Sequence, residues 1–172
     1  MTKPITTVAA MILYEEGFFQ LHDPVHWYLP ELKDVEVYAK NESDKWVYEK
    51  PERHMTIRDL MTHTSGLTYG LFGNTPVDSM YLAEKLFTNC ESNTQFYNKL
   101  VQLPLVFHPG ERWLYGVNTD ILGYLVETIS GLPLNEFFKE RIFTPLGMKD
   151  TDFYVPPEKF NRFIVNYQWD AD

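Results

Sequence analysis

Cysteine is nearly missing from this sequence: Cys90 stands alone among 172 residues, which excludes an internal disulfide and a cysteine zinc site. Long apolar runs are missing too, and nothing approaches the roughly 20 residues of a membrane-spanning helix. Positive charge is scarce. Fifteen Lys+Arg against 24 Asp+Glu leave a formal net charge of −9, a field that repels phosphate backbones and anionic lipid surfaces, so no nucleic-acid partner is expected. Repeats, low-complexity tracts and linkers are absent, and few runs read as strands. What is abundant is apolar and aromatic: 44% hydrophobic and 16% aromatic residues exceed what a disordered chain carries. The length suits one domain of about 150 residues with a real core.

Lys3 followed by the apolar residues 5–14 has the outline of a signal peptide. However, Thr6 and Thr7 dilute the run, Glu15 and Glu16 follow it, and no A-x-A cleavage pattern appears. A helix fits better. Ile5, Val8, Ala9, Ile12 and Glu16 keep helical spacing, Pro4 sits in the first turn and Gly17 supplies the stop. Further on, Asp23-Pro24 is expected to cap one or two helical turns. Glu36-Val37-Tyr38 and Trp46-Val47-Tyr48, separated by polar residues 41–44, read as a surface hairpin.

Thr56-Ile57-Arg58-Asp59 is a capping box ahead of a short helix closed by Thr64-Ser65-Gly66. A Gly-rich loop over 67–76 leads to a helix near 77–86, and Ser92-x-x-Gln95 caps another. Ile121, Leu122, Leu125, Val126 and Ile129 form the clearest helical stripe, ended by Ser130-Gly131. Pro133 opens a helix with Phe137, Phe138 and Ile142, and the tail from Thr151 to Asp172 reads as extended segments with a turn.

Several segments together resemble the serine beta-lactamase-like family, in its branch of class C beta-lactamases, family VIII esterases and penicillin-binding D,D-peptidases. They are Met1-Thr2-Lys3-Pro4-Ile5-Thr6, Thr56-Ile57-Arg58-Asp59-Leu60-Met61-Thr62-His63-Thr64-Ser65-Gly66-Leu67 and Pro109-Gly110-Glu111-Arg112-Trp113-Leu114-Tyr115-Gly116. Pro145-Leu146-Gly147-Met148 running into Thr151-Asp152-Phe153-Tyr154 adds a fourth in the family's order. The resemblance implies a mostly α fragment of an α+β fold: a helical subdomain with a small hairpin, residues 1–172 forming one partial domain whose main antiparallel sheet is largely missing. It implies a small-molecule ester or amide as substrate, and no cofactor or metal.

In this family an S-x-x-K motif places a nucleophilic serine and a lysine on one helix face, since residues three apart are neighbours there. Lys3 matches the lysine, and the serine would stand immediately before Met1, outside this sequence. Tyr115 matches the tyrosine of the Y-x-N motif, but Val117 fills its third place. That exchange removes an amide donor useful for lactams, so the resemblance implies ester chemistry over lactam turnover. Asn118 is one residue late and about 100° around a helix, so it does not inherit the role. The C-terminal K-T-G or H-x-G strand, which supplies part of the oxyanion hole, is also not present.

The expected catalytic residues are thus Lys3 and Tyr115, brought together in a cleft beside the loop after Pro109-Gly110, with Trp113 and the 121–129 helix behind that loop. Ser65 lacks the G-x-S-x-G elbow and a lysine three residues on, which assigns it to turn chemistry. His54, Asp59 and His63 match no tight metal-ligand spacing, and His63 is expected to hydrogen-bond the loop at its helix end. The chain as given is expected to be a serine hydrolase lacking its nucleophile and closing strands. Two other readings stay open: a non-catalytic binding module of the same family and an unrelated helical scaffold.

Overall fold

The computed structural model describes residues 2–88, 90–165 and 167. Helix α1 spans Thr2–Glu15 and buries Thr6, Ala9, Ala10 and Leu13. Of the apolar residues in the sequence stripe, Ala9 is buried, Ile5 and Ile12 are half-buried against the core, and only Val8, 49% exposed, faces away from it. Close approach explains the difference. Helix α1 lies on helix α5, Asn118–Ser130, and at Gly123 of α5 an added Cβ would come 2.9 Å from Leu134 and 3.7 Å from Thr6. Such a contact selects small side chains on α1, which a search for large apolar residues overlooks.

Two 3-10 turns follow, Val25–Trp27 and Pro30–Asp34. Asp23 does not cap the first of them. Pro24 holds that position, and the Asp23 carboxylate accepts instead from the Gln20 amide and the Tyr28 hydroxyl at 2.7 and 2.8 Å. Strands β1, Val37–Lys40, and β2, Trp46–Glu49, form the expected antiparallel hairpin, with Tyr38 opposite Tyr48 and their rings stacked at 4.3 Å. This pair is the only sheet among the described residues.

Helix α2, Ile57–Thr62, starts with a reciprocal capping box of Thr56 and Asp59 and ends at His63 in the left-handed conformation. Helix α3, Pro76–Glu84, carries a second box built by Thr75 and Asp78. Helix α4, Asn93–Leu100, is capped by Ser92, while the Gln95 side chain reaches one residue further back to the Glu91 amide at 2.9 Å. Helix α5 ends as expected at Gly131, whose φ of 71° is cheap only without a Cβ.

Helix α6, Leu134–Phe138, continues into one π-helical turn over Lys139–Phe143 and buries Phe137 and Phe138. A single apolar cluster joins α1, the capped helices and α5. The tail departs from the extended reading: Pro157–Arg162 is a 3-10 helix, with Pro157 preset for its first turn and Lys159 and Arg162 both paired to Asp150. The rest of that expected tail, Asn166 and residues 168–172, lies outside the described residues.

Candidate active site

Lys3 sits in the first turn of α1, where the helix-to-helix contact with α5 fixes its backbone. Tyr115 arrives on an irregular strap between α4 and α5. The strap is sewn down by backbone bonds: Leu105 N to Glu36 O at 2.8 Å, Val106 N to Gly66 O at 2.9 Å, Gly110 N to Thr64 O at 2.7 Å and Leu114 N to His63 O at 2.9 Å. The left-handed turn at His63 aims that last carbonyl at the strap. Immediately after Tyr115, Gly116 lies so close to the backbone of Leu67 and Thr68 that a Cβ would stand 2.3 Å from the Leu67 oxygen.

These constraints bring together two residues far apart in sequence. The Lys3 ammonium lies 4.7 Å from the centroid of the Tyr115 ring and 5.8 Å from that of Tyr69. The contact is made through the ring face. Tyr115 also meets Phe72 at 5.7 Å, Tyr69 at 5.3 Å and His63 at 5.2 Å between centroids. Lys3 lines a cleft of about 410 Å³ with Thr6, Phe87, Phe96, Asp120 and Tyr124. Tyr115 is not one of its walls.

Trp113 does not support the strap from behind as expected. It is 64% exposed and stacks on Tyr115 at 6.3 Å from the solvent side. The 121–129 helix does lie in the interior, with Ile121, Leu122, Leu125 and Val126 buried.

Asn118 and Ser65, both fully buried, form the scaffold under the strap. Ser65 Oγ donates to Asn118 Oδ1 and accepts from the Leu67 amide at 3.1 Å, so its hydroxyl is committed to structure. The Asn118 amide meets His63 Nδ1 at 3.1 Å. A donating amide there places the imidazole proton on Nε2. Burial, aided by the Lys3 charge, lowers the His63 pKa. The side chain of Val117 is also fully buried, so it presents nothing to the cleft.

Two neighbours of Lys3 were not found from sequence. The Tyr69 hydroxyl donates to Asp120 Oδ2 at 3.1 Å, joining a loop residue to the first turn of α5. Burial raises the Asp120 pKa, with the Tyr69 bond and the Lys3 charge opposing it. Burial and the adjacent carboxylate also push the Tyr69 phenol up. No local spacing announces this pair. His54, Asp59 and His63 each have other partners: Asp59 accepts from Arg53, His54 lies against the tilted ring of His26 and His63 joins Asn118. Among the described residues no group of three or more His, Cys, Asp or Glu could hold a metal ion, and no helix is long and apolar enough to cross a membrane.

Comparison with known proteins gives the same direction throughout. The family model described as Beta-lactamase matches residues 1–172. Protein Rv1367c of Mycobacterium tuberculosis is 36% identical over 170 residues, which cover 99% of this chain and 42% of that protein. Lovastatin esterase of Penicillium rubens is 34% identical over 155 residues, 89% of this chain and 38% of the esterase. Among solved structures, EstCE1, titled a hydrolase with promiscuous acyltransferase activity, superposes with a TM-score of 0.72 at 28% identity, covering 91% of this chain and 39% of EstCE1. The chain thus spans about two fifths of the length of these relatives. Its helical content and lone hairpin match part of their common fold.

Proposed function

The chain belongs to the beta-lactamase family, and on that premise we propose that it furnishes the proton-transfer pair, Lys3 and Tyr115, of a serine hydrolase or acyltransferase acting on esters. The observation that carries the reading is the 4.7 Å approach of the Lys3 ammonium to the Tyr115 ring, which no local sequence rule requires. In the reaction, a serine hydroxyl attacks the ester carbonyl carbon while its proton passes to Lys3, which must first release its own to solvent. The tetrahedral intermediate collapses, the C–O bond to the alcohol breaks, and Tyr115 delivers a proton to the departing oxygen. Water or a second alcohol then resolves the acyl-serine by the same steps reversed. The relatives named as an esterase and as a hydrolase with acyltransferase activity support both outcomes.

The sequence supplies no serine three residues ahead of Lys3, and Ser65 is locked against Asn118. We therefore expect the 172-residue polypeptide to leave p-nitrophenyl butyrate and a chromogenic cephalosporin untouched. A polypeptide that adds the family's serine directly before Met1, together with its C-terminal strand, should hydrolyse the ester faster than the cephalosporin, because Val117 offers no amide to a lactam. A faster lactam reaction would reverse the substrate assignment. Turnover by the 172-residue chain that disappears on Ser65→Ala would overturn the site itself, whereas binding without turnover in the serine-bearing polypeptide would favour a non-catalytic module.

A further inference from the structure

Lys3 carries a flexible stem and a head that needs to be aimed, yet among the described residues its ammonium has no hydrogen-bonding carboxylate or carbonyl. It rests between two tyrosine faces, 4.7 Å from Tyr115 and 5.8 Å from Tyr69, whose rings are 5.3 Å apart and inclined at 56°. Tyr115 is fixed by the strap and by Gly116. Tyr69 comes from the Gly-rich loop ahead of α3, and it is anchored by the hydroxyl bond of 3.1 Å to Asp120. Asp120 is itself on rigid ground, the first turn of α5, followed directly by the buried Ile121 and Leu122. Its carboxylate also attracts the Lys3 charge without direct contact.

We propose that Asp120, acting through the Tyr69 hydroxyl, is the positioning residue that holds the Lys3 ammonium against the face of Tyr115. The inference rests on Lys3 and Tyr115 being the proton-transfer pair. It adds the device that aims the lysine: a carboxylate on one helix pins a ring from a loop, and that ring confines a cation carried by another helix. The other titratable groups around Lys3 are His63 from the end of α2, whose pKa burial lowers, and Cys90, Glu91 and Tyr124, which line the same cleft. None of these is bonded to Tyr69 or Tyr115. Aromatic faces attract a cation but set its position loosely, so the fixed hydroxyl-to-carboxylate bond is the part that defines geometry.

The test reads position rather than turnover, so its failure is separable from failure of the functional reading. In the 172-residue chain with isotopically labelled lysine, the Lys3 ε-methylene protons should resonate upfield of the other lysines because two rings lie over them; Lys3→Arg assigns the signal. Tyr69→Phe keeps the ring and removes its anchor, and Asp120→Asn removes the charge. Each should abolish most of the upfield displacement. The double variant should lose no more than either single one, as expected for members of one contact, and Asp120→Glu should restore part of it. Unchanged methyl signals from Leu122 and Leu125 verify folding; should Asp120→Asn unfold, Tyr69→Phe decides alone. A displacement that is absent in the parent chain, survives Tyr69→Phe, or falls additively in the double variant overturns the proposal.

Discussion

Gly116 shows how a single missing side chain positions a site residue. Its backbone lies against Leu67 and Thr68, and a Cβ there would be 2.8 Å from the Thr68 Cα as well as crowding the Leu67 oxygen. Gly116→Ala must push the strap away and carry Tyr115 with it. We expect a loss of about 1–3 kcal/mol in urea unfolding, together with a weakened ring-current effect of Tyr115 on Lys3; an alanine variant of unchanged stability would contradict this. Lys3 and Tyr115, the pair we propose as catalytic, were singled out because the segments that carry them, Met1-Thr2-Lys3 and Tyr115-Gly116-Val117, resemble the family's motifs in part. Tyr69 and Asp120 were not, since their contact spans α3 and α4 and neither residue lies in a motif that predicts a partner. Trp113 was misplaced for a related reason: an aromatic residue scores as core by composition, whereas its place on the strap points it to solvent.

At the level of elements, the Thr56 box and the Ser92 cap were readable, the Asp23 cap was not formed and the Thr75 box was missed; of these the Thr56 box is the most consequential. Asp59 is buried, and burial alone would raise its pKa. The paired bonds from Arg53 at 2.6 and 2.8 Å, with those from Thr56 and Thr64, outweigh that and lower it below 3.8. A depressed folded-state pKa contributes stability that is fully present above the unfolded value and is lost as pH falls through the folded one. Unfolding free energy should therefore decline on acidification below about pH 4, and Asp59→Asn should flatten that decline while costing about 1–3 kcal/mol at neutral pH. An acid limb of equal steepness in the variant would assign the effect elsewhere. The face of α1 was harder to read, because most of what it buries is small: Thr6, Ala9 and Ala10, with Thr6 near Gly123 of α5. Ala9→Leu should destabilise by about 1–3 kcal/mol through overpacking, whereas Val8→Ala, at an exposed position, should change thermal unfolding little.

Across the whole molecule, the helical part of the fold followed from periodicity and caps, while the tail did not, because two prolines suit both extended chain and a 3-10 turn. Large apolar side chains remain in water, among them Phe72, Trp113, Phe163 and Ile164. Each such side chain forgoes about 1.5–3 kcal/mol of burial, against a net stability of only about 5–15 kcal/mol for ordinary domains. We expect the monomer to unfold in urea with less than about 5 kcal/mol, and a value above about 10 would contradict that. The central claim, that Lys3 and Tyr115 act as one proton-transfer unit, is tested most directly by a kinetic cycle in the polypeptide carrying the added serine and C-terminal strand. Ester kcat/KM should fall about 10²–10⁴-fold in Lys3→Ala and in Tyr115→Phe. The double variant should be no slower than the slower single one, because members of one unit do not add. Near-parent activity in either single variant, or losses that multiply in the double, would contradict the account.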